Sequence, residues 1–170
     1  MTSPMPSAPS RRHHLQRALL CTLLYALACS QAHSAVSCAV NNAVLAFGNY
    51  TAFTTQPTDS VGTVDVSCAN LDSTASSGVS VLLGIGASAN GSATQRKLAG
   101  NGSTLNYGIY SDPARTRSWT EGPDAPQQPT GPLQARETRQ LRFTLYGRIP
   151  PLQNSNAGAY SDSLVITVTP

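Results

Sequence analysis

Apolar residues recur at every second position through this sequence, and no stretch outside its N-terminal leader carries the three-and-four spacing of a helix. That period is the signature of half-buried β-strands. Leu164, Ile166 and Val168 share one face of the last such stretch, with Ser163, Thr167 and Thr169 on the other and Val165 as the exception. Thr63 to Cys68 alternates in the same way, with Val64, Val66 and Cys68 on one side. Gly78 to Ile85 is apolar on nearly both faces, which predicts a central strand covered from two sides. Arg96–Ala99 and Ser103–Tyr110 flank Gly100-Asn101-Gly102, and Asn-Gly supplies the positive φ angles of a tight hairpin turn. Leu105, Tyr107 and Ile109 face inward on its second arm. Thr138 to Ile149 directs Leu141, Phe143 and Leu145 inward, and Pro150-Pro151 stops it because proline donates no ladder hydrogen bond. A first strand, Ser37–Val40 and Ala43–Phe47, is expected to break at an Asn41-Asn42 turn, and Ser111–Leu133 reads as loop. About seven short strands in one domain predict an all-β, immunoglobulin-like β-sandwich.

The first thirty-odd residues stand apart from this pattern. Arg11, Arg12 and Arg17 precede an apolar run from Ala18 to Ala28, about half the ~20 residues that a membrane span needs. Small residues follow, and Ala32-His33-Ser34 fits a leader-peptidase site, so residues 1–34 are read as a secretory signal peptide and 35–170 as the domain. Ser10-Arg11-Arg12 admits a twin-arginine leader, and Ala26-Leu27-Ala28-Cys29 a lipoprotein one. Removing the leader takes away all three histidines and three of the 11 basic residues, which leaves the eight acids nearly balanced. The apparent basic pI therefore carries no nucleic-acid signal.

Cys38 and Cys68 are the cysteines left in the exported part. An oxidising compartment and an even count favour a disulfide over two buried thiols. It would close a loop of about thirty residues, worth roughly 3–4 kcal/mol on the chain-entropy account.

Catalytic patterns are missing from the exported part. Without histidine no Ser-His-Asp or Cys-His arrangement forms, and no cluster of His and Cys can hold a metal. No phosphate-binding or dinucleotide motif follows a strand, so no cofactor is expected. Asp112, Glu121 and Asp124 gather in the long loop, either as a glycosidase-like set or, on the commoner pattern, as solvated carboxylates. Trp119 in the same loop is either a surface-binding platform for a sugar or a cap folded over one end of the sandwich. Three Asn-x-Ser/Thr triplets, at Asn49, Asn90 and Asn101, read as turn chemistry or as glycosylation acceptors.

Several short motifs, in order, resemble the spore coat protein U domain family. They are Leu45-Ala46-Phe47-Gly48 with Tyr50, then Cys68, then Leu105-Asn106-Tyr107-x-Ile109-Tyr110-x-Asp112-x-x-Arg115. Tyr146-Gly147-Arg148-Ile149-Pro150 and Ala157-Gly158-x-Tyr160-x-Asp162-x-Leu164 complete the set, so the resemblance covers Ser37 to Thr169. It implies a non-enzymatic subunit of a secreted bacterial fimbria or coat, including archaic Csu-type chaperone–usher pili. Such subunits are incomplete sandwiches, filled first by a strand of a periplasmic chaperone and then, beyond an outer-membrane usher, by the N-terminal extension of another pilus subunit. On this reading the sequence ends at its last main strand because a partner supplies the next. The acceptor groove is expected between Leu45 and Phe47 on one side and Leu164, Ile166 and Val168 on the other. Only Ala35-Val36-Ser37 would precede Cys38 after cleavage, which fits an end subunit that accepts a strand and donates none, or a coat-like protein assembled differently. The alternative is a secreted adhesive module that recognises a surface or glycan through the Ser111–Leu133 loop and Trp119.

Overall fold

The computed structural model describes residues 36–170; the expected leader and its cleavage point lie outside the described residues. Eight strands form two sheets: β1 (Val36–Val44), β2 (Thr58–Asn70), β3 (Ser80–Ser88), β4 (Arg96–Gly100), β5 (Ser103–Tyr110), β6 (Gln127–Pro129), β7 (Thr138–Ile149) and β8 (Leu164–Thr169). The larger sheet runs β1-β2-β7-β5-β4 and the smaller β6-β3-β8. All named pairings are antiparallel.

The inward faces follow the alternation. Val64, Val66 and Cys68 of β2, Phe143 and Leu145 of β7, Tyr107 and Ile109 of β5, and Val81, Leu83 and Ile85 of β3 are buried in one core. β3 is the middle strand of its sheet, as a run apolar on both faces requires. The β4–β5 hairpin turns on Asn101 and Gly102, whose φ angles of 44° and 73° are both positive. That geometry twists with the strands, and asparagine and glycine adopt it at least cost.

Several boundaries differ from expectation. β1 does not break at Asn41-Asn42. The chain absorbs the extra residue as a bulge between Val40 and Asn42, and Asn41 is held across the sheet surface by Ser67 and Gln140. A bulge keeps the edge strand paired where a turn would end it. β1 ends at Val44, so Leu45 and Phe47 lie beyond the strand in irregular backbone. The long loop contains β6, three residues paired with β3 through Ser80↔Pro129 to Leu82↔Gln127.

Cys38 and Cys68 lie directly opposite in the β1–β2 register and form the disulfide. It ties an edge strand to β2, whose own pairing with β7 runs unshifted from Thr58↔Ile149 to Ala69↔Thr138.

Trp119 is 1% exposed. Its ring packs on Phe143, its Nε1 donates to the Leu83 carbonyl at 2.7 Å, and its backbone N–H donates to Ile109. The loop tryptophan therefore closes the core between the sheets and presents no surface platform. A buried indole needs a partner for its N–H, and Leu83 supplies it. Trp119→Ala should cost about 3–5 kcal/mol in denaturant unfolding. Because the chain has one tryptophan, native emission should resist iodide quenching until the protein unfolds. Thiol labelling of unreduced protein should modify neither Cys38 nor Cys68, and Cys68→Ala should lose about 2–5 kcal/mol.

Candidate functional site

One side of the sandwich is grooved over the core, whose own side chains there stay buried. A cleft of about 940 Å³ lies there, walled by residues 43–50 on one flank and by Leu164 and Ile166 of β8 on the other. Its floor is the core itself, including Val64, Ile85, Leu105, Ile109, Leu145 and Ile149. Two edges meet the cleft: β1 at the end of the larger sheet and β8 at the end of the smaller, each without an outer neighbour among the described residues. The other edge of the larger sheet is different. β4 is bonded to the segment leading into β8, with Ala99 and Ser161 exchanging both backbone hydrogen bonds.

Local sequence explains how the flank at 43–50 is placed. Gly62 runs so close to Val44 that a Cβ would stand 2.3 Å from the Val44 carbonyl oxygen. On β7, Gly147 leaves room for the Phe47 ring, which a Cβ would meet at 2.7 Å. Phe47 then stands edge-on to Tyr107, with ring centroids 5.6 Å apart. Tyr50 is held by accepting the backbone N–H of Gln153 at 2.8 Å.

Of the five residues expected to line an acceptor groove, Leu45, Phe47, Leu164 and Ile166 line this cleft. Val168 packs against the core opposite Leu83 and is not part of its wall. All five are only partly buried. The exposure left to them is thus a fraction of a full side chain, less than the roughly 1.5–3 kcal/mol per residue of complete burial.

At the polar end of the cleft stand Tyr107 and Asp162, with Arg96 buried outside its lining, and strand periodicity does not reveal them. Tyr107 donates its hydroxyl to Asp162 Oδ2 at 2.7 Å, and Ser163 N–H donates to Asp162 Oδ1 at 2.9 Å. Burial raises the Tyr107 pKa well above its ordinary value, and the Asp162 bond adds to the rise, while Arg96 opposes it. Arg96 is 1% exposed and donates to the carbonyls of Ile85, Gly86 and Trp119. Burial pulls its pKa down, and the fields of Tyr107 and Asp162 pull it back. Tyr160, also in the lining, pairs its hydroxyl with that of Ser103.

The loop acids are engaged separately. Asp112 accepts from the Thr116 and Arg117 backbone and the Thr116 hydroxyl, which lower its pKa. Glu121 accepts from Thr167 on β8. Arg115 of the same motif, at φ 59°, donates to the Gly147 and Ser60 carbonyls, pairs with Asp59 at 3.3 Å and lies over the Tyr146 ring. These contacts staple the 111–118 loop onto the outer face of the larger sheet. Among the described residues no cluster of three His, Cys, Asp or Glu could hold a metal, and no helix is long and apolar enough to cross a membrane.

The family model described as Spore Coat Protein U domain matches residues 24–167. No curated protein matches the chain. Among solved structures, it is similar to a chain of the CsuC–CsuE chaperone–tip adhesion subunit pre-assembly complex from archaic chaperone–usher Csu pili of Acinetobacter baumannii. That likeness has 16% identity and a TM-score of 0.46, and covers 78% of this chain and 39% of the other.

The Tyr107–Asp162 pair makes a prediction about alkali. The folded state holds the Tyr107 proton more tightly than the unfolded chain, whose phenol titrates near pH 10. Its contribution is therefore fully present below about pH 10 and is lost as pH rises further. Ultraviolet titration should show one phenol that ionises only as the fold is lost, and Tyr107→Phe should remove that step. Ionisation of every tyrosine in the still-folded protein would contradict the assignment.

Proposed function

We propose, from the premise that the chain belongs to the Spore Coat Protein U domain family, that it is a non-enzymatic structural subunit of a chaperone–usher fimbria or surface coat. The cleft is the observation that carries the reading. It runs over the buried core, between partly exposed apolar flanks, beside two strand edges that have no outer neighbour among the described residues. Apolar flanks and edges with no outer neighbour among the described residues suit the same occupant: an extended strand that supplies main-chain hydrogen bonds to an edge and apolar side chains to the flanks. Leu45, Phe47, Leu164 and Ile166 form the acceptor walls, with Val168 supporting β8 from the core side.

The partners on this reading are a periplasmic chaperone, an outer-membrane usher and other pilus subunits, with the chaperone's strand exchanged for that of a subunit. The protein is exported behind a leader of residues 1–34, passes through the periplasm as domain 35–170 and resides at the cell surface. No cofactor or nucleic acid enters. The adhesive alternative loses its named platform, since Trp119 is buried.

A donor peptide tests the reading. An alternating apolar peptide at a hundredfold excess over its Kd should raise the melting temperature by about 10 °C. Ile166→Asp should abolish the shift, because it places an unpaired carboxylate on the covered wall. Mass spectrometry of protein recovered from the periplasm should find a stoichiometric chaperone. A stable monomer that no donor peptide shifts would replace this reading with a self-sufficient module.

A further inference from the structure

Asp162 is the one charged side chain among the described residues lining the cleft. Its position is fixed, since Tyr107 and the Ser163 amide each hold one oxygen. A carboxylate has about four acceptor sites, so capacity remains on both oxygens. Asp162 is half-buried with the cleft open. A strand laid over the cleft removes its remaining water. A carboxylate desolvated with two neutral donors and no paired cation is unfavourable.

The protein's own cation does not supply that pairing. Arg96 gives its hydrogen bonds to three backbone carbonyls and makes no ion pair among the described residues, although its field reaches Asp162. Further along, Leu164 and Ile166 make the same wall apolar. The wall is thus acidic at one point and apolar beyond it, and a strand's side chains repeat every second residue toward one face.

We propose that Asp162 is the register-setting residue of the cleft, and that the occupant is an extended segment with alternating apolar side chains and one lysine or arginine placed to meet Asp162. A slip of two residues would put the cation against Leu164 and an apolar side chain against the carboxylate, so the pair selects one register and disfavours the others. The inference rests on the strand-accepting reading of the cleft and adds the charge of its partner.

The test uses the exported protein and a series of alternating leucine peptides. In each, one inward leucine is replaced by lysine, and binding is measured by calorimetry. Lysine at one position should tighten binding about tenfold over the all-leucine parent, while lysine elsewhere weakens it. Norleucine at the favoured position should give no such gain, which separates charge from packing of the stem. Asp162→Asn keeps the acceptor for Tyr107; it should still bind the parent and lose the lysine preference. If the parent binds but no lysine position gains, or the gain survives in Asp162→Asn or is matched by norleucine, the register role is wrong and the strand-accepting reading stands. If no peptide of the series binds, both fall.

Discussion

The β2–β7 ladder is the element on which the other parts of the domain depend. It pairs without a register shift from Thr58↔Ile149 to Ala69↔Thr138. Its inner face supplies Val64, Val66, Phe143 and Leu145 to the core, and its outer face carries the Asp59–Arg148 and Asp65–Arg142 pairs. A one-residue slip would exchange those faces, burying ion pairs and exposing valines, so the register is strongly specified. β1 joins the ladder through β2 and the disulfide, and β5 joins it through β7. The 111–118 loop reaches it through Arg115. The outer ion pairs are exposed enough that their net worth is small; their use is to define which face is out.

Most of this frame was legible in the sequence because it depends on period two. The inward residues of β2, β3, β5 and β7 fall where alternation puts them, and the Asn101-Gly102 turn follows from backbone sterics. Legibility fails where the chain leaves that period. Leu45 and Phe47 alternate like strand residues, yet they lie past the end of β1, because Gly62 and Gly147 let that segment come close to the sheet. Nothing local to Leu45 encodes a glycine a hundred residues away. β6 leaves no sequence signal, since Gln127–Pro129 has neither apolar alternation nor length. The bulge at Asn41 carries the same local signal as a turn, because asparagine tolerates the turn conformations.

The polar interior was the least visible part. An arginine at the start of a strand reads as a solvated charge, but Arg96 is buried and satisfied by carbonyls from β3 and from Trp119. Those carbonyls come from sequence positions with no pattern in common. Tyr107 did carry a signal. It sits on the inward face between Leu105 and Ile109, and a buried phenol needs a hydrogen-bond partner. The partner, Asp162, is 55 positions away, and only its place beside Leu164 in a short motif hinted at a shared wall. Polar groups in the core are thus assigned by tertiary geometry, and the alternation that fixes the strands is silent about them.

The disulfide has a mechanical consequence. β1 is an edge strand bonded to β2, and a pull that peels an edge strand away from its sheet opens hydrogen bonds one pair at a time. Cys38 sits near the start of β1 and Cys68 lies opposite it, where β2 is also paired with Arg139 of β7. Tension entering upstream of Cys38 therefore crosses the sulfur bridge before it reaches the weaker ladder beyond. It arrives in β2, which is hydrogen-bonded to a neighbour on each side. Residues 39–44 are spared the load, so the flank of the cleft that follows them keeps its shape while force passes through the domain.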